Sequence, residues 1–132
     1  MNRICRRVGR LLWRVALPLI LPMGLAQAAA VGDALATPAM QAPQATSAVL
    51  LDLARAGARL VAVGERGIVL LSDDNGLSWR QAAVPVSVSL TAVQFVDAGN
   101  GWAVGHGGVV LASRDGGEHW VVQLDGVRAA QL

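Results

Sequence analysis

The 132-residue sequence contains no tyrosine, a single phenylalanine and no lysine; all 11 basic residues are arginine. Without tyrosine there is no tyrosine nucleophile for glycoside hydrolysis. Without lysine there is no phosphate-cradling G-x-x-x-x-G-K loop. The one cysteine, Cys5, lies ahead of the first apolar run, where a lipid-bearing cysteine would follow it. No disulfide framework or cysteine-ligated zinc is therefore expected. The two histidines, His106 and His119, fall on separate turns. Asp73-x-Asn75-Gly76 has the look of part of a calcium loop. However, Leu71 stands where a first carboxylate belongs, and the closing glutamate position falls in Ala82-Ala83. No cofactor and no metal are expected. Long helices are also missing: after residue 28 no segment carries a helix-length 3.6 period.

What is present begins with an export signal. Arg3, Arg6, Arg7, Arg10 and Arg14 make a basic head, Leu11–Leu25 is an apolar run, and Ala26-Gln27-Ala28 follows as an A-x-A cleavage site. That order reads as a secretory signal peptide over 1–28, cut near Ala28, and implies a periplasmic or secreted chain. Pro18 and Pro22 interrupt a run already short for a membrane span, so none is expected in the mature chain. Removing 1–28 leaves six arginines against nine acids, a net charge of −3. The sequence pI near 10.0 thus belongs to the signal and gives no argument for nucleic acid. Residues 29–47, rich in Ala, Pro, Gln and Thr and without hydrophobic period, read as a flexible leader.

From Ala48 onward, short apolar runs alternate with Gly, Asp and Asn. Eight strands are expected: Val49–Arg55, Leu60–Gly64, Ile68–Ser72, Trp79–Val84, Thr91–Asp97, Gly101–Gly105, Val109–Ser113 and Trp120–Leu124. Ala62–Trp79 returns 41 residues later as Ala103–Trp120, with ten of 18 positions identical and no gap. A period of about 40–50 residues is that of four-stranded propeller blades. The expected class is all-β: a partial β-propeller of two four-stranded antiparallel blades, at about 48–85 and 90–125, with the opening of a third unit up to residue 132. Near-continuous runs such as Ile68-Val69-Leu70-Leu71 fit sheets buried on both faces. Two blades do not close a ring of the usual four to eight. This points to a piece of a longer protein or to blades that assemble from several copies.

Both copies carry S-x-D-x-G-x-x-W: Ser72, Asp74, Gly76 and Trp79 in the first, Ser113, Asp115, Gly117 and Trp120 in the second. A short carboxylate accepts the free N–H groups of a tight turn, glycine takes the left-handed position, and tryptophan covers the hairpin. This pattern is identified as the Asp-box, or bacterial neuraminidase repeat, and these eight residues are expected to be structural. His119 replaces the usual Ser or Thr, which is expected to weaken one turn hydrogen bond.

The wider wording, Gly64-Glu65-Arg66-Gly67-Ile68-Val69-Leu70-Leu71-Ser72 and Gly101-Trp102-Ala103-Val104-Gly105, resembles the photosystem II assembly and stability factor family over about Val49–Leu124. The resemblance implies a non-catalytic, exported propeller that binds or escorts a membrane-protein partner or its assembly intermediate. Relatives extend to many non-photosynthetic bacteria. The family's arginine patch maps onto Arg66 but meets Gly107 in the second copy, so half of it is present. Arg66, Arg80 and Trp102 are the candidate partner-binding residues. The alternative reading is a sialidase-like Asp-box glycan hydrolase or glycan-binding module.

Overall fold

The computed structural model describes residues 31–132, so the expected signal peptide and its cleavage site lie outside the described residues. The chain runs through helix α1 (Val31–Ala36) and strands β1 (Leu50–Ala56), β2 (Arg59–Gly64), β3 (Val69–Ser72) and β4 (Arg80–Gln81). It continues with β5 (Leu90–Phe95), β6 (Gly101–Gly105), β7 (Val109–Ser113), β8 (Val121–Leu124) and helix α2 (Gly126–Ala129). β1 to β4 form one antiparallel sheet in sequence order, and β5 to β8 form a second. These are the two expected blades.

Each blade is built from cross-strand rows of side chains. In the first, Ala54, Val61, Leu71 and Arg80 stand side by side on one face. In the second, Val93, Ala103, Leu111 and Val122 do the same. The apolar members of these two rows pack together in one core, joined by Val84, Val86, Val88 and Leu90 from the connection between blades. Val61, Ala103 and Leu111 are fully buried there. The sheets meet along β1, β2 and β5, and Asp52 Oδ2 accepts the backbone N–H of Val93 at 2.8 Å to tie the inner strands together.

The repeat extends to backbone detail. Both inner strands shift register at the same point, Leu50/Asp52 and Leu90/Ala92. At that point Glu65 N–H donates to Val49 O, and His106 N–H donates to Ser89 O. The approach is so close that a Cβ at Gly64 would stand 2.2 Å from Val49 O, and one at Gly105 2.3 Å from Ser89 O. Only glycine fits, and this is why both copies keep it. The β5–β6 hairpin is one residue longer than β1–β2: Leu53 pairs with Ala62 and Val93 with Ala103.

Three expectations need correction. The leader is not a free spacer in its described part. Ala39 N–H donates to Val84 O at 2.9 Å, and the Gln81 amide accepts from Ala42 N–H at 3.0 Å while donating to Met40 O at 2.9 Å. Ala39 and Ala45 are buried. Small alanines sit flush on the sheet, and a glutamine amide substitutes for a backbone partner. Secondly, the fourth strand is short, Arg80–Gln81 where Trp79–Val84 was expected. Beyond Gln81 the chain bonds to the leader and runs into Pro85, which has no N–H for a ladder. Lastly, the tail expected to open a third unit turns into α2, because Asp125 caps it by accepting Arg128 N–H at 2.8 Å.

Replacing Leu111 by alanine should cost about 2–5 kcal/mol of stability, because the cavity would lie between the blades. Val96→Ala, at an exposed site, should stay within about 0.5 kcal/mol. Urea unfolding of the two variants checks the contrast.

Candidate functional site

The Asp-box turns follow β3 and β7 on the rim. Asp74 Oδ1 accepts from Ser72 Oγ and from Ser78 N–H, both at 2.8 Å, and its Oδ2 accepts from the Ser78 hydroxyl. Ser72 Oγ in turn accepts from Gly76 N–H at 2.7 Å, with Gly76 at φ 90°. Trp79 closes the turn by donating Nε1–H to Gly76 O at 3.1 Å. The second turn repeats every bond: Ser113 to Asp115, Gly117 N–H to Ser113 Oγ, and Trp120 Nε1–H to Gly117 O. His119 does not weaken it. Its backbone N–H donates to Asp115 Oδ1 at 3.0 Å, and its Nδ1 lies 2.7 Å from Asp115 Oδ2, in the place the Ser78 hydroxyl takes in the first turn.

These bonds consume the carboxylates. The Ser78 hydroxyl and N–H, then the Ser72 hydroxyl, hold the Asp74 carboxyl at about 2. Burial pushes Asp115 up, but the backbone N–H and ring of His119 and the Ser113 hydroxyl more than offset it, again to about 2. Both acids are thus locked as turn-forming anions. Trp120 is buried and meets Phe95 edge-on at 6.0 Å, whereas Trp79 is only half-buried.

Arg80, expected to contact a partner, is engaged inside the molecule. It donates Nη1–H to Glu118 Oε2 at 2.7 Å and also pairs through Nη2 with Glu118 and Asp73. Arg59 joins the cluster, reaching Asp73 at 2.6 Å and Glu118 at 2.9 Å. The Arg59 guanidinium lowers the Asp73 carboxyl, and Arg80 lowers that of Glu118. This four-residue clamp joins the rims of the two blades. Sequence reading missed Arg59 and Glu118, because their partnership crosses from one repeat to the next.

Arg66 sits differently. It is exposed and makes no ion pair or side-chain hydrogen bond among the described residues. Its backbone is left-handed at φ 55°, the conformation taken by Gly107 at φ 69° in the second blade. A side chain there costs about 1 kcal/mol relative to glycine. Arg66 stands with Glu65 at a cleft of about 290 Å³ whose far wall is the leader, from Met40 to Ala48. In the second blade that ground is taken: Leu35 packs over Gly107, and a Cβ there would lie 3.1 Å from it. Trp102 is 39% exposed on the outer face of the second blade and lines a separate shallow cleft with Gln94 and Val104. The structure does not bring Arg66, Arg80 and Trp102 into one site.

Two antiparallel four-stranded blades, each closed by an Asp-box, define the chain as β-propeller in fold. Residues 71–130 match the family described as Photosynthesis system II assembly factor YCF48. Over 78 residues the chain is 36% identical to photosystem II stability/assembly factor HCF136, chloroplastic, of Cyanidioschyzon merolae (strain NIES-3377 / 10D). That match covers 58% of this chain and 16% of that protein. The solved structure of YCF48 bound to D1 peptide superposes with a TM-score of 0.55 at 26% identity, covering 65% of this chain and 29% of the other. All three point to the photosystem II assembly-factor-like β-propellers, of whose length the chain spans under a third.

Because Asp74 and Asp115 both titrate near 2 when folded, against 3.8 for a free aspartate, the stability they contribute is complete above about pH 4. It should drain away as pH falls from 4 toward 2. Urea midpoints across that range should drop steeply for the native chain, and less steeply for Asp115→Asn.

Proposed function

We propose that this chain is a non-catalytic, exported binding module that holds a peptide segment of a membrane protein during its assembly. The observation that carries the reading is Arg66, a free cation kept in a left-handed turn beside an open cleft. A structure that accepts backbone cost to present an arginine, where its own second blade uses glycine, is consistent with a ligand for that arginine. The planar guanidinium pairs in fork geometry with a carboxylate, so the favoured ligand is an acidic side chain or a chain-terminal carboxylate. Two findings support a peptide ligand: the solved relative is described as bound to D1 peptide, and the curated relative as an assembly factor. Export rests on the arginine head, apolar run and A-x-A site within residues 1–28. The absence of turnover rests on the Asp-box acids, whose oxygens are committed to their own turns.

Titration of a fluorescent D1 peptide into the native chain and into Arg66→Gly tests the proposal. Glycine suits φ 55°, so the variant should fold at least as stably as the native chain. Its affinity should fall about tenfold or more, the value of a lost charge-assisted hydrogen bond. Equal affinity of the two proteins would overturn the assignment.

A further inference from the structure

The leader holds on to the first blade through contacts that depend little on its own sequence. It runs along the free side of β4 and the residues after it, in the opposite sense to Gln81–Val84. Ala39 N–H donates to Val84 O at 2.9 Å, and Gln41 Nε2–H donates to Ala82 O at 3.2 Å. The Gln81 side-chain amide bonds Met40 O at 2.9 Å and Ala42 N–H at 3.0 Å. In these bonds, Gln41 apart, the leader contributes backbone groups, which every extended polypeptide carries. The side chains it buries, Ala39 and Ala45, are single methyl groups. This is the grip of an added strand, with main-chain bonds for affinity and side chains free to vary.

The same stretch encloses the Arg66 turn. Ala39 packs against it so closely that a Cβ at Gly67 would lie 3.1 Å from the Ala39 Cβ. Met40, Ala42, Gln44 and Ala45 then line the cleft in which Arg66 stands, and Ala45 packs with Ile68 and Leu70. That cleft measures about 290 Å³. Ligand pockets usually hold about 300–1,000 Å³, so this one takes a side chain or a chain end but not a length of extended peptide. A peptide that brings a carboxylate to Arg66 therefore runs into the leader. From Ala34 to Ala48 the leader has no charged residue, so it leaves the guanidinium unanswered.

We infer that the leader is a resident stand-in for the ligand. An extended acidic peptide displaces residues 39–45 and takes their place along Gln81–Val84 by strand addition, with its carboxylate on Arg66. The inference rests on the peptide-binding reading of Arg66 and adds to it the surface and the competitor. The exchange favours the newcomer. It remakes the main-chain bonds to Val84 O and to the Gln81 amide, and it gains a charge-assisted pair that the leader cannot offer. The leader gives up the burial of two methyl groups. Because it belongs to the same chain, the leader competes at a local concentration of the order of millimolar. It therefore keeps the strand edge covered against uncharged extended segments and yields to one that supplies the missing charge.

Amide hydrogen exchange read by NMR on the full chain, with and without the fluorescent peptide of the Arg66→Gly titration, provides the test. At saturating peptide the Ala39 and Ala42 amides should exchange about tenfold faster or more, because the leader has left the edge. The amides of Val61 and Leu111, deep in the blades, should stay protected and report that the fold is intact. In Ala39→Gln a longer, uncharged side chain replaces a buried methyl, which loosens the leader and leaves Arg66 and Gln81 in place. Its affinity for the peptide should rise about tenfold or more, because a larger fraction of chains has the edge free. A peptide that binds, and is weakened by Arg66→Gly, yet leaves Ala39 and Ala42 protected would overturn the inference while the Arg66 reading stands. So would a folded Ala39→Gln chain that binds no tighter than the native one. A peptide bound equally by the native chain and Arg66→Gly, or by neither, would overturn both.

Discussion

Each sheet is apolar on both faces, and among the described residues each has one neighbouring sheet. The row Ala54, Val61, Leu71 meets the row Val93, Ala103, Leu111, and that single contact buries the most completely enclosed side chains of the molecule. Everything else is arranged around it. The connection from Val84 to Leu90 is drawn into the same core, Asp52 stitches the inner strands, and the Arg59–Asp73–Arg80–Glu118 clamp fastens the rims. The ion pairs are half-exposed and contribute little stability by themselves, so their value lies in fixing the angle between blades. Apolar burial holds the two sheets together, and charge sets their register.

Most of the architecture was legible because repetition shows more than periodicity does. Gly101–Gly105 and Val109–Ser113 form strands at their expected bounds, and the other six differ mainly at their ends. The Asp-box turns were legible apart from the part His119 plays, since every partner lies within the motif. The leader was not, because alanine and glutamine carry no hydrophobic period and their docking depends on a sheet edge that forms later in the chain. The ion pairing of Arg80 was not legible for a related reason. A charged residue at a strand end looks solvated until the glutamate of the following repeat is known to stand opposite. His119 was read by residue type, when the turn requires only a nitrogen or oxygen at that place, which its ring supplies.

The same comparison separates structure from function. Positions that agree between the blades are those where the backbone leaves no choice, such as Gly64 and Gly105. Positions that differ include Arg66 against Gly107, Arg80 against Val121 and Leu77 against Glu118. At each of these the fold tolerates either residue, so the choice is left to whatever the surface meets. Arg66 is the case where the fold would favour the alternative, and there the sequence keeps the less comfortable residue.

Each Asp-box bond joins residues no more than four apart. Closing such short loops demands little chain entropy, and none of these bonds waits for the neighbouring sheet. Each blade therefore carries a self-sufficient seed at the hairpin between its third and fourth strands. Repeat proteins of this kind begin folding wherever a local unit first holds and then spread to adjacent units. With two such seeds of nearly identical design, this chain has two equivalent places to start.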